Sequence, residues 1–105
     1  MTISLRTRSS PKARQSVIPV ATEATFDEHW RPACDALGLT FVSLFQGSGI
    51  NLDAESAGEV VEELSAVLGW MVGTKRPKTV IERVIAVREQ LRKVASKPTA
   101  SAYVG

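Results

Sequence analysis

The sequence predicts a small α+β domain dominated by helix, and three observations carry that prediction. Two stretches in the C-terminal half, around residues 54–73 and 79–95, repeat apolar residues at helical spacing. Residues 39–45 (LTFVSLF) are short, β-branched and aromatic, with Gly38 before them and a Gln46-Gly47-Ser48-Gly49 turn after them. Val17, Ile18 and Val20 suit a second strand, which Pro19 confines to a sheet edge or a strand start because it has no N–H for the ladder. A wholly helical fold, with LTFVSLF as a buried connector, is the alternative. The chain of 105 residues has room for one domain.

Taken in order, Thr25 and Glu28 have the capping-box spacing, and Phe26, Trp30, Ala33, Cys34 and Leu37 then fall on one helical face. Gly38 supplies the stop. Pro32 removes an N–H inside that stretch and crowds the carbonyl four residues earlier, so the element reads as one kinked helix, the alternative being a first turn that ends near Trp30 and a second helix with Pro32 in its first turn. The strand at 39–45 is apolar on both faces, which asks for cover on both sides or for pairing in an oligomer. Ile50 to Leu52 reads as a short return strand. Asp53 or Ser56 caps the long helix, Ser56 and Glu59 having the box spacing, and Ala57, Val60, Val61, Leu64, Val67, Leu68 and Met71 form its buried stripe up to Gly73. Thr79 with Glu82 forms a third capping-box pair. It opens a last helix with Val80, Val84, Val87, Leu91 and Val94 as its core, widened by Ile81 and Ile85. The two helices form an antiparallel hairpin. Residues 1–16 read as a flexible basic arm, 17–96 as the compact domain and 97–105 as a flexible tail.

Charge is sorted along the chain. Residues 1–22 hold Arg6, Arg8, Lys12 and Arg14 and no acid; residues 23–63 hold nine acids against Arg31; residues 64–105 hold eight bases against Glu82 and Glu89. Part of this is helix logic, since acids are favoured at helix starts and bases at helix ends. An antiparallel hairpin brings the acidic start of one helix beside the basic end of the other, so mutual neutralisation is expected there. The basic start has the composition of a transit peptide or of an arm that touches nucleic acid, and lacks the apolar core of a secretory signal. The single cysteine, Cys34, excludes an internal disulfide and a cysteine-type zinc site, and points to a reducing compartment, the cytoplasm. No run approaches the roughly 18 apolar residues of a membrane span.

Candidates for chemistry are few. His29 is the lone histidine and has no ligand at helical spacing, so it reads as structural. Cys34 lies in an apolar stripe within an acidic segment, the setting of a buried thiol and not of a nucleophile. The Gln46–Gly49 turn lacks the spacing and lysine of a phosphate loop. No cofactor or catalytic set emerges, and a non-enzymatic role is expected. Two functional readings remain. In the first, a small regulator of inhibitor or immunity type binds an unidentified protein through Glu55, Glu59, Glu62, Glu63 and Trp70, as a homodimer. Its anchor is Trp70, off the main stripe beside Met71 and Val72, because buried tryptophans often dominate interfaces. In the second, a nucleic-acid-associated protein uses Arg6, Arg8, Lys12 and Arg14 together with Lys75, Arg76, Lys78 and Arg83. Lys75–Lys78 precedes a helix start, where free N–H groups attract anions. Its connector is longer than that of a helix-turn-helix.

Overall fold

The computed structural model of the chain describes residues 2–105. It is an α+β fold, rich in helix, with one four-stranded antiparallel sheet and a two-helix hairpin. The strands are β1 (Thr2–Arg8), β2 (Ser16–Thr22), β3 (Ile50–Leu52) and β4 (Ser101–Val104), in the spatial order β2–β1–β4–β3.

The largest correction concerns the chain ends. Residues 2–8 are not a flexible arm and 101–104 are not a flexible tail; they are the two central strands. Their side chains alternate in and out with period two. Ile3 and Leu5 are buried while Arg6 and Arg8 are exposed; Ala102 and Val104 are buried while Ser101 is exposed and Tyr103 half-buried. The strands pair Leu5 with Val104 and Arg8 with Ser101, and Ser4 and Gly105 exchange two backbone hydrogen bonds of 3.2 and 3.1 Å. β2 is an edge strand that tolerates Pro19, as expected, opposite an irregularity at Ile3/Ser4. The three-residue β3 is a short strand, as expected, but it forms the other edge by pairing with β4 and not with residues 39–45.

LTFVSLF, in contrast, is not a strand. Residues 42–44 form a single 3₁₀ turn in a compact loop, with Val42 and Phe45 fully buried and Leu44 exposed. The loop finds its backbone partners in side chains and not in a neighbouring strand. The Glu63 carboxylate accepts from the N–H groups of Thr40, Phe41 and Val42 at 3.3, 3.1 and 2.9 Å, and Ser43 Oγ donates back to the carbonyls of Leu39 and Thr40. Buried N–H groups need partners, and a carboxylate already aimed at three of them stabilises a turn over an unpaired strand.

The helix expected to kink is a continuous run of α1 (Glu23–Thr25), a π-helical turn Phe26–Trp30, and α2 (Arg31–Leu37) with Pro32 in its first turn, closed by Gly38 at φ +65. Thr22 and not Thr25 caps it, accepting from the Thr25 N–H at 3.1 Å. In an α-helix the N–H of residue 32 would bond the carbonyl of Glu28; Pro32 has none. Arg76, 48 residues away, supplies the donor at 3.2 Å. The π turn places Phe26 and Trp30 in a stack 5.7 Å apart, with Phe45 against Trp30, and these three fill the core beside the hairpin.

The hairpin comprises α3 (Ala54–Gly73) and α4 (Lys78–Ala95). The N-terminal box of α3 is Asp53 with Ser56, each side chain taking the other's backbone N–H at 2.9 Å. Those bonds hold the Asp53 carboxyl below its usual range. Their stabilisation is therefore present above ordinary carboxylate pKa values and is lost as pH falls through the lowered one. Gly73 is the last helical residue, but the left-handed residue that turns the chain is Lys75, at φ +56. α4 starts after Pro77 with no side-chain cap, so the Thr79–Glu82 box is not formed and Glu82 faces Lys78 at 3.9 Å instead. Ala57, Val60, Leu64, Val67 and Met71 of α3 and Val80, Val84, Val87, Leu91 and Val94 of α4 are buried against the sheet; Val61 and Leu68 are half-buried. The helices thus cover one sheet face and leave the other open.

Candidate functional site

The open sheet face gathers side chains that are distant in sequence. Strand pairing aligns Val17 with Arg6, Arg6 with Tyr103, and Tyr103 with Asn51, a row that crosses all four strands. Arg8 and Ser101 form the next row. Arg6, Arg8, Asn51, Ser101 and Tyr103, with Gln15, border a shallow depression of about 360 Å³. Val17 is 56% exposed although apolar. None of the four strands contains an acid. Neither Arg6 nor Arg8 takes part in an ion pair among the described residues.

Tyr103 is fixed on this face. Its hydroxyl donates to the carbonyl of Ser48 at 3.3 Å, and its ring lies against Gly49 and Gly105 so closely that a Cβ on either would collide with it. Gly49 also has φ +74, a conformation that glycine adopts without strain.

Around the corner, Arg8 also borders a second depression of about 240 Å³ with Arg14, Gln90, Lys93 and Lys97. Thr99 Oγ1 donates to the Ser9 carbonyl at 3.0 Å and ties the β1–β2 turn to the segment after α4. Lys12 is exposed on that turn. Six cations therefore lie in or around one corner of the molecule: Arg8, Arg14, Lys93 and Lys97 line it, Arg6 is two residues along β1, and Lys12 is on the adjoining turn.

The other residues singled out from the sequence are dispersed or already engaged. Arg76 is a structural clamp. It stacks on Trp70 with its guanidinium carbon 4.7 Å from the ring centroid, reaches the Glu28 carbonyl, and contacts His29 Nδ1 at 3.4 Å. Trp70 is half-buried beneath it, within the monomer. Lys75, Lys78 and Arg83 are exposed, far from the six-cation corner in the sense that they sit at the opposite end of α4. Glu63 is occupied with the loop at 40–42, while Glu55, Glu59 and Glu62 are exposed. Among the described residues no ion pair joins the acids of α3 to the bases of α4, so the expected contact neutralisation within the hairpin is not made. A cleft of about 400 Å³ lies at the start of α4, bordered by Thr22, Thr25, His29, Thr79 and Arg83. Arg83 is its one exposed cation, and Trp30, whose buried indole N–H has no hydrogen-bond partner among the described residues, also lines it.

Cys34 is buried, and burial pushes its thiol up to about 11; Arg31 pulls it down, while Asp35 and Glu63 push it further up. Such a thiol stays protonated at neutral pH and is a poor nucleophile. The folded state holds this proton more tightly than the unfolded chain, so the associated stability is intact below pH 9 and is lost as pH rises from 9 to about 11. Urea unfolding should show wild type losing on the order of 2 kcal/mol more than Cys34→Ala across that window. Parallel pH profiles would remove the assignment.

Tyr103, Asn51, Ser101, Gln15, Lys93 and Lys97 were not singled out from the sequence. The available signal was the strict alternation in TISLRTR and in SAYV, which marks half-buried strands and puts Arg6, Arg8 and Tyr103 on the solvent side. No group of three or more His, Cys, Asp or Glu side chains that could hold a metal ion occurs among the described residues, and no helix is long and apolar enough to cross a membrane. Comparison of the chain with protein-family models, with curated proteins and with solved structures finds no match in any of the three, so the reading of this face rests on its own residues.

Proposed function

We propose that the protein is a non-enzymatic nucleic-acid-binding protein that holds a phosphodiester backbone along the open sheet face and the β1–β2 turn. The observation that carries this reading is the pairing of Arg6 and Arg8 on a sheet that contains no acid, beside Lys12, Arg14, Lys93 and Lys97. Uncompensated cations concentrated on one surface raise the local concentration of polyanions, and their release of condensed counterions makes binding fall steeply with salt. The sequence alone puts these four N-terminal cations on a flexible arm; β1 instead holds Arg6 and Arg8 at fixed spacing, with Lys12 and Arg14 on the turn that follows, which lowers the ordering cost of binding.

Fluorescence anisotropy with labelled oligonucleotides between 50 and 200 mM salt tests the reading. Log affinity should fall linearly with log salt, and the Arg6→Gln/Arg8→Gln double variant should flatten that slope by about 1.4 to 1.8. Lys75→Gln/Lys78→Gln should leave it nearly unchanged. Absence of binding at 50 mM salt, or a slope indifferent to Arg6 and Arg8, would overturn the proposal.

A second reading, self-association of the protein, is favoured by one observation. Val72 and Ile85 are 58% and 39% exposed on the flank of the hairpin that also carries Ser65 and Arg88, whose side chains meet at 3.4 Å. An apolar strip at that seam suits a second copy of the chain better than Trp70, which Arg76 already covers. Light scattering on wild type and Val72→Glu decides it: one identical monomer mass for both excludes the dimer.

A further inference from the structure

We infer that the ligand of the open sheet face is a single strand of nucleic acid, with a base stacked on Tyr103 and its phosphates on Arg6 and Arg8. The inference rests on the nucleic-acid reading above and narrows it.

Width is the first argument. Strands in a sheet lie about 4.8 Å apart, so the row from Val17 to Asn51 spans about 14 Å between outer backbones before its side chains are added. A duplex major groove is about 12 Å wide and admits one helix or a two-stranded ribbon. The four-stranded face cannot enter it, and β1, which carries both arginines, is an interior strand that cannot project alone. An unpaired strand has no groove to enter and can lie flat across the sheet.

Chemistry is the second. A single strand exposes base faces that a duplex hides, and proteins bind them with aromatic platforms flanked by cations. Tyr103 has Arg6 on one side of it and Asn51 on the other by direct strand pairing. Its ring is seated on Gly49 and Gly105 and its hydroxyl is tied to Ser48, so little side-chain freedom remains to be lost on stacking. Asn51 offers an amide donor and acceptor to a base edge beside the ring. Ser4, Ser101 and Gly105 keep the surroundings low. This chemistry is shared by DNA and RNA single strands.

The test uses the full chain and a 12-nucleotide strand, as DNA and as RNA, against the matching DNA duplex in anisotropy at 100 mM salt. Each single strand that is a true ligand class should bind at least about 10-fold tighter than the duplex. Tyr103→Leu should weaken single-strand binding by about 5- to 100-fold while Tyr103→Phe stays close to wild type, because stacking needs the ring and not the hydroxyl. Preference for one of the two strands assigns the sugar. Because Tyr103→Leu could also loosen the sheet, wild-type protein is photocrosslinked to a strand carrying 5-bromouracil, and the adduct should map to the peptide that holds Tyr103. Duplex binding as tight as single-strand binding, or an adduct confined to the helices, would overturn this inference and leave the broader reading standing. No binding to any of the three nucleic acids would overturn both.

Discussion

Glu63→Ala should destabilise the protein by about 3 kcal/mol in urea unfolding, although Glu63 lies on a helix whose other acids are solvated. Its carboxylate is the acceptor for the backbone N–H groups of Thr40, Phe41 and Val42. Losing a charged acceptor leaves partly buried donors unpaired, at a cost of roughly 1–3 kcal/mol for each donor that water cannot reach. The loop above it would also release Val42 and Phe45, both fully buried. Glu63→Gln keeps one acceptor oxygen and should lose about half as much. Glu59→Ala and Glu62→Ala, at exposed positions, should stay within about 0.5 kcal/mol of wild type. Equal effects at all three positions would show that the acids act as a surface and not as a loop anchor.

Gly49→Ala should cost a similar amount, about 3 kcal/mol, for a different reason. A side chain at φ +74 is strained by about 1 kcal/mol. Its Cβ would also lie 2.6 Å from the Val104 carbonyl oxygen and 2.8 Å from Tyr103 Cζ. Moving the tyrosine breaks its bond to the Ser48 carbonyl, and the Val104 carbonyl belongs to the β3–β4 ladder, where Ile50 pairs with Val104. Relief therefore requires opening an edge strand, and overpacking of this kind adds about 1–3 kcal/mol. Gly47→Ala is the control: φ is +91 but nothing lies within 4 Å, so only the backbone cost should appear. Against a total stability of about 5–15 kcal/mol for a domain of this size, the difference is easily measured by the shift in urea midpoint. The same substitution displaces Tyr103, so single-strand binding should fall with it.

How the fold was readable differs from element to element. The hairpin helices announce themselves because a helix packed on a sheet must repeat apolar residues every three to four positions, and Val60, Leu64, Val67 and Met71 do so over several turns. β2 was legible through its valines and Pro19. β1 and β4 were not, because they lie at the chain ends and carry arginines or serines on alternate positions, which leaves them too polar to stand out as strands. The alternation itself was present in TISLRTR. LTFVSLF misled in the opposite direction. Its strand propensity is real, yet propensity is a weak preference that one well-placed carboxylate outweighs. Arg76 shows the same limit at the site. Its cluster looked like an anion-binding tip, and nothing local to Lys75–Lys78 reveals that Pro32 leaves a carbonyl for it to serve.

What the sequence by itself determined is the set of local elements and the inventory of charge: two amphipathic helices, a proline-marked edge strand, a helix made irregular around Pro32, a buried cysteine and an acid-free start. Those follow from periodicity and from the chemistry of neighbours in the chain. The tertiary structure alone decided which residues meet. Strand pairing between residues 4–8 and 101–105 turns an expected arm and tail into the centre of a sheet, and sets Tyr103 between Arg6 and Asn51. Pairing over that separation depends on the whole chain closing on its core, so no window of sequence contains it.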